Sequence, residues 1–160
     1  MPPRVSAGLL MFRFRGDGVQ VFLAHPGGPL FRNKDEGHWT IPKGEPPDGE
    51  PLLNAAMREF EEETGIEPHG QYLELGWIRQ KGGKVVHAWA FEGDYDESQP
   101  IRSNAFEMQW PPGSGKTCSF PEVDRACFFD LPEAKRKLKD AQWPLVERLL
   151  MLLRKTARKE

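Results

Sequence analysis

Residues Pro51 to Thr64 constrain this chain more than any other stretch. Leu53, Ala56, Met57 and Phe60 recur at i, i+3, i+4 and i+7, the spacing of one helical face. Pro51 suits the first helical position, where its missing N–H costs nothing, and Gly65 suits the stop. At about 100° per residue, Glu59, Glu62 and Glu63 fall within one arc of roughly 100°, beside the apolar stripe. A helix of this kind must lay its stripe on another element, and it brings three carboxylates to the edge of that contact. They repel one another there. They also crowd the helix C-terminus, where the backbone dipole disfavours negative charge. A hard divalent cation with oxygen ligands removes the conflict, and magnesium is the natural choice. On spacing alone, a solvated acidic face is the alternative.

The surroundings predict strands. Val5 to Phe14 and Val19 to His25 read as a hairpin about Gly16-Asp17-Gly18. Pro26 to Pro29 breaks the second strand and opens a loop to about Gly37. His38 to Pro42 is a short extended piece leading into a loop from Lys43 to Gly49. Tyr72 to Gln80 and Lys84 to Phe91 read as strands joined at Lys81-Gly82-Gly83. Gly93 to Pro100 is an acidic loop. Phe106, Met108 and Trp110 alternate on one strand face, Pro111 to Gly115 is a loop, and Arg125 to Phe129 is the last strand. Pro132 to Lys139 and Trp143 to Arg154 read as helices, the second strongly amphipathic. The pattern predicts a mixed α/β or α+β layered fold, with residues 1–160 forming one domain.

The net charge of -2 gives the molecule no overall attraction for nucleic acid, so no obligate nucleic-acid partner is expected. An anionic substrate must be held by a local group of cations or by a metal. No segment reaches the ~18 apolar residues of a membrane span, and a cytoplasmic location is the expectation. Cys118 and Cys127 lack zinc-site spacing and read as free thiols, and the four histidines show no ligand spacing either. Oligomeric state is not legible.

Next to the helix, Gly44 lets the backbone come close to a phosphate or a metal, and its carbonyl can be a ligand. Lys43 can offset phosphate charge. Glu50 lies about two turns before Arg58, so an Arg58–Glu50 pair can clamp the preceding loop to the helix.

Laid end to end, the residues are Gly44, five residues, Glu50, seven residues, then Arg58-Glu59-Phe60-Glu61-Glu62-Glu63-Thr64-Gly65-Ile66. This resembles the Nudix box, G-x5-E-x7-R-E-U-x-E-E-x-G-U with U apolar, at every position. A chance match is on the order of 10^-9 per start site at average residue frequencies. Phe60 is bulkier than the usual aliphatic residue and implies a packing adjustment. The resemblance implies the family's α/β/α sandwich around a mixed sheet, followed from Val5 to Leu150. Three further segments resemble a subgroup described as predicted NTP pyrophosphohydrolases: His25 to Pro29, Arg79 to His87, and Trp110 to Gly115.

The resemblance also implies roles. Glu59, Glu62 and Glu63, with the Gly44 carbonyl, bind magnesium or manganese. Glu50 and Arg58 orient the loop and helix. The general base is a glutamate of the box or one in a later loop, where Glu122 is the candidate and Asp124 its substitute. Lys43 departs from the commoner glycine, in a Pro-Lys-Gly form resembling hydrolases of dinucleoside and diphosphoinositol polyphosphates. Arg79, Lys81 and Lys84 add positive potential. Phe31, Trp39, Trp77, Trp89 and Trp110 are candidates for stacking a base.

The expected function is metal-dependent cleavage of a pyrophosphate bond in a nucleoside diphosphate linked to another group. The substrate would be a small molecule: an NTP or a dinucleoside polyphosphate such as diadenosine tetraphosphate. A diphosphoinositol-polyphosphate or RNA-cap-type phosphohydrolase is one alternative, and a non-catalytic nucleotide-binding module is another. The region Gln80 to Gly83 lacks both the proline typical of ADP-ribose subtypes and the tyrosine typical of dinucleoside-polyphosphate subtypes. The NADH-type tail motif is absent as well.

Overall fold

The computed structural model describes residues 4–159. Strand β1 (Val5–Arg15) is apolar at odd and even positions alike because both of its faces are covered. Ala7, Leu9 and Met11 point to one core cluster, Leu10 and Phe12 to another. β1 runs parallel to β5 (Val85–Glu92) and antiparallel to β2 (Gly18–Pro26). With β4 (Leu73–Arg79) outside β5 and β8 (Val123–Asp130) outside β2, the order is β4-β5-β1-β2-β8. One parallel pair among antiparallel ones makes the sheet mixed.

β1 and β2 pair only from Phe12↔Val21 to Arg15↔Gly18. Beyond that they part, and the segment 40–44 enters the gap. Ala24 and Thr40 exchange backbone bonds of 2.8 and 2.9 Å, and the Leu9 N–H donates to the Pro42 carbonyl at 3.2 Å. The two-residue strand β3 (Lys43–Gly44) pairs Gly44 with Ala7 and Lys43 with Gly8. The crossing is tight: a Cβ on Gly8 would lie 2.8 Å from both Lys43 Cβ and the Pro42 carbonyl oxygen.

Helix α1 (Leu52–Thr64) covers one face. Phe60 packs among Phe22 and Phe91, with Ala55 and Ala56 fully buried beside it. The buried face includes Ala55 and Thr64 as well as the expected Ala56 and Phe60, while Leu53 and Met57 are only partly buried. Pro51 sits just outside the helix at ψ 139°, and its carbonyl accepts the first helical bond from Ala55. Gly65 ends the helix at φ 79°, as expected of a glycine stop.

The other face is covered by α2 (Leu131–Lys137), a short 3-10 turn (Asp140–Gln142) and α3 (Trp143–Lys159). This is the α/β/α arrangement expected from the resemblance. Two strands were not expected. One is β3. The other is β7 (Thr117–Pro121), which pairs with β6 (Ala105–Gln109) in a separate two-stranded sheet. β3 fell within a stretch read as loop, and Thr117–Pro121 had been assigned to no element. β7 alternates only Cys118 and Phe120 with polar residues, and its partner lies outside the main sheet.

Among the described residues no helix is long and apolar enough to cross a membrane. Cys118 and Cys127 are free and partly buried.

Gly8→Val should lower stability by about 2 kcal/mol, because the added atoms meet backbone that cannot retreat. Gly18→Ala, where a Cβ meets only the Arg15 carbonyl oxygen at 3.9 Å, should change it far less. Urea unfolding measures both, and equal effects would remove the packing argument.

Candidate active site

The inserted segment delivers Lys43 and Gly44 to the C-terminal half of α1. A Cβ on Gly44 would lie 2.1 to 2.5 Å from the carboxylate atoms of Glu59, so only glycine admits that carboxylate. The Lys43 N–H donates to Glu63 Oε2 at 3.1 Å. Sheet and helix are thus joined through the two acids of the expected cluster that face the strand.

Arg58 organises the rest. Its Nε and Nη2 donate to the two Glu50 oxygens at 3.0 and 2.8 Å, a bidentate pair across the loop between them. Its Nη1 donates to Glu59 Oε1 and to both Glu62 oxygens at 3.1 Å. Glu50 is held below the usual carboxylate range by its hydrogen bonds to Arg58, and those same bonds raise the guanidinium. Glu62 is the most open of the three acids, with 38% of its side chain exposed against 17% for Glu59.

Lys43, Gly44, Glu59, Glu62 and Glu63 line a cleft of about 360 Å³ with Glu45, Lys84, Asn104, Ala105 and Glu122. Five glutamates face two lysines there, so an anion entering alone meets net repulsion. Burial raises Glu59 above its ordinary value, with Glu62 adding to the rise. Burial pushes Glu63 up to about 8, against the pull of the Lys43 N–H and ammonium. A donor set made only of carboxylate and carbonyl oxygens, with two acids short of compensating charge, suits a hard divalent cation. Among the described residues no three acidic, histidine or cysteine side chains are already closed into a cage for an ion. Glu62 is drawn onto Arg58 instead.

Glu122 and Asp124 diverge. Glu122 lines the cleft, its backbone fixed by an N–H bond to the Asn104 carbonyl at 2.7 Å and by the Gly27 N–H at 2.9 Å. Asp124 turns instead to His25. Its Oδ1 lies 2.7 Å from Nδ1 of the fully buried His25, whose Nε2 lies 2.6 Å from the Lys34 carbonyl. The register of β2 and β8 shifts at His25/Pro26, which places the two acids on different sides.

Lys43 and Lys84 reach the cleft, whereas Arg79 and Lys81 are exposed and do not line it. Arg79 borders a separate groove with Trp77 and Arg148. Of the aromatic candidates, Phe31 lines a cavity of about 190 Å³ that adjoins the cleft and shares Lys43, Glu63 and Glu122 with it. Trp39 is core, 3% exposed, with its indole N–H on Asp35. Trp89 packs against the cluster under α1, and Trp110 lies at the end of the β6–β7 hairpin. One wall residue was missed: Lys139, on the cavity beside Phe31. It lies past a helix, 95 residues from Gly44, and nothing local marks it.

A family model described as the NUDIX domain matches residues 2–149. The rat bis(5'-nucleosyl)-tetraphosphatase [asymmetrical] is 44% identical over 94 residues, 54% of this chain and 63% of that protein. The mouse protein of the same name is 41% identical over 80 residues, 46% and 54%. The match thus spans little more than half the length of these relatives. Among solved structures, the NUDIX domain of Shewanella oneidensis NrtR complexed with ADP ribose superposes with TM-score 0.67 at 16% identity, covering 96% of this chain and 90% of that one. A C. elegans Ap4A hydrolase binary complex gives 0.62 at 22%, covering 94% and 97%. At such identities the superpositions speak to the fold.

The raised Glu63 gives a pH signature. An acid whose folded pKa exceeds its ordinary 4.5 disfavours the folded state once it must ionise. The metal-free protein should therefore lose stability as pH rises from about 5 toward 8, and Glu63→Gln should flatten that slope. Lys43, pushed down to about 8 by burial, acts with opposite sign only between about 8 and its ordinary 10.5. Melting curves in EDTA at each pH measure this. An unchanged slope in the variant would show that Glu63 is not the group responsible.

Proposed function

The chain belongs to the NUDIX family, and from that premise we propose that it is a divalent-metal-dependent pyrophosphohydrolase of a nucleoside diphosphate linked to another group, with dinucleoside polyphosphates the favoured class. The observation that carries the reading is the cleft at Gly44, where glutamates converge from the helix and from the β7–β8 turn opposite two lysines. The likeness to the rat and mouse tetraphosphatases supports the substrate class. It outweighs the missing tyrosine near Gln80 to Gly83. The Lys43-Gly44 pair supports it too, since a long phosphate chain carries charge that one lysine beside the acids helps to offset.

Glu59, Glu62, Glu63 and the Gly44 carbonyl would hold magnesium or manganese, which would supply positive charge to offset that of the phosphates and would make a water more acidic. Lys43 and Lys84 hold phosphate oxygens from the opposite wall. Glu122, whose side chain has no hydrogen bond or ion pair among the described residues and which lines the cleft, accepts the proton of the attacking water. The water oxygen bonds to one phosphorus, the bridging P–O bond breaks, and the leaving phosphate departs with the bridging oxygen. Arg58 and Glu50 keep the loop and helix in register. Arg79 and Lys81 have no contact role in this scheme.

A magnesium-dependent substrate panel in ¹⁸O-water, with products resolved, tests the proposal. Diadenosine tetraphosphate should be cleaved faster than NTPs or ADP-ribose, and the label should appear in one product only. No turnover of any phosphoanhydride would end the reading. Glu62→Gln should abolish magnesium-dependent release while leaving the melting temperature within a few degrees; undiminished turnover would remove Glu62 from the metal set. Glu122→Gln should lower kcat by about 100-fold or more if it is the base. Lys43→Gly should raise KM for long phosphate chains more than for short ones, and an equal rise would count against a phosphate-chain role.

A further inference from the structure

Lys139 follows α2, and its backbone holds the fold: its N–H donates to the Trp39 carbonyl at 2.9 Å and its carbonyl accepts from Gln142 at 2.9 Å. Its side chain contributes to neither bond. It is half-buried, lines the small cavity with Phe31, Thr40 and Lys43, and makes no ion pair or hydrogen bond among the described residues. An ammonium that loses part of its hydration and gains no carboxylate is costly unless something anionic arrives. The charge of Lys84 adds to the cost. Lys84 and Lys139 press hardest on the Lys43 ammonium, so three lysines from three distant parts of the chain crowd one place. Lys43 comes from the inserted strand, Lys84 from the start of β5 and Lys139 from the segment after α2. Among the described residues, Lys84 is the one of the three that makes an ion pair, with Glu45 at 4.0 Å.

The small cavity and the main cleft share Lys43, Glu63 and Glu122, so they are two arms of one space. The acids of Glu59 and Glu62 belong to one arm only, and Lys139 and Phe31 to the other. A linear polyanion laid from the first arm into the second passes from oxygen ligands suited to a cation, over Lys43, to an ammonium with no other partner.

We propose that Lys139 is a substrate-binding residue that grips the part of a phosphoanhydride chain beyond the Glu59 and Glu62 arm, and so favours long chains over short ones. This rests on the pyrophosphohydrolase reading above. Phe31 forms the apolar wall beside that grip, where a group attached to the chain can pack. On this proposal a diphosphate-linked substrate held at Glu59 and Glu62 stops short of Lys139, and a tetraphosphate reaches it.

The test compares Lys139→Gln and Lys139→Arg with the unaltered protein, using magnesium and two substrates, diadenosine tetraphosphate and ADP-ribose. Lys139→Gln should raise KM for the tetraphosphate about tenfold, change kcat less than about twofold and leave KM for ADP-ribose within about twofold. Lys139→Arg should recover most of the loss. Equal changes on both substrates, or none, would overturn the assignment. If the unaltered protein cleaves neither substrate, the hydrolase reading fails by itself, and Lys139 is judged by calorimetric binding of inorganic tripolyphosphate in magnesium. Binding about tenfold weaker in Lys139→Gln upholds the grip, and unchanged binding removes it. The side chain makes no contact that the fold needs, so both variants should melt with the unaltered protein.

Discussion

The Glu59 carboxylate rests on the bare Cα of Gly44, and the arrangement around it exists to permit that contact. No side chain fits between them, since even a methyl would lie inside the carboxylate. For Gly44 to be there, β1 and β2 must part after four paired positions and admit a strand between them. For that strand to lie close, Gly8 must carry no side chain of its own. For Glu59 to face the strand, α1 must be fixed in rotation, which Phe60 does by burying its ring among Phe22 and Phe91 one residue further on. Two glycines and one phenylalanine therefore decide where a carboxylate stands. The bulk of Phe60, unusual at its position, is absorbed by these aromatic neighbours.

Charge in the cleft is arranged in opposition. Arg58 spends its guanidinium on Glu50, Glu59 and Glu62, which leaves Glu63 with only the Lys43 backbone N–H and no ion pair among the described residues. Glu63 is accordingly the acid whose ionised form is least supported. Across the space, Lys43 is an ammonium made costly by burial and by its lysine neighbours. Each sign is concentrated rather than neutralised in pairs. Such a surface gains most from a ligand that is itself bipolar: a divalent cation among the acids together with phosphate oxygens on the lysines. The His25–Asp124 contact serves the same end indirectly. By holding Asp124 on His25 it leaves Glu122 as the acid of that turn that faces the cleft.

The helix was legible because its period and its stop are local: Leu53, Ala56, Met57, Phe60 and Gly65 lie within thirteen residues of one another. The carboxylate arc followed from that period, and the Arg58–Glu50 pair from its two turns of separation. Hairpins with a glycine turn, β1–β2 and β4–β5, were legible for the same reason. Lys43 and Gly44 were read as loop because a two-residue strand has no period, and its pairing depends on a gap that two other strands create. β7 escaped because its partner is β6 alone, so one thin apolar face sufficed. Arg79 and Lys81 illustrate the converse: neighbours in sequence of a cleft residue, Lys84, yet turned to solvent by strand alternation and the glycine turn.

What local reading could not reach is the part of the site built by the C-terminal segment. Gln142 accepts the Ile41 N–H and passes a hydrogen bond on to Gln80, so the strand carrying Lys43 and Gly44 is braced from one hundred residues away. Trp39 bonds to both Lys137 and Lys139 through its backbone, which ties the approach to that strand to the end of α2. A lysine at that junction is therefore carried to the cleft by the same bonds that hold Gly44 against Glu59. The box supplies the acids within one short stretch, and its match to a motif is correspondingly visible. The cations opposite are assembled by the tertiary fold from three separate places, and they can vary without disturbing the acids. On the proposed reading, the metal ligands lie in the motif, while the base Glu122 and the lysines Lys84 and Lys139 reach the space from outside it.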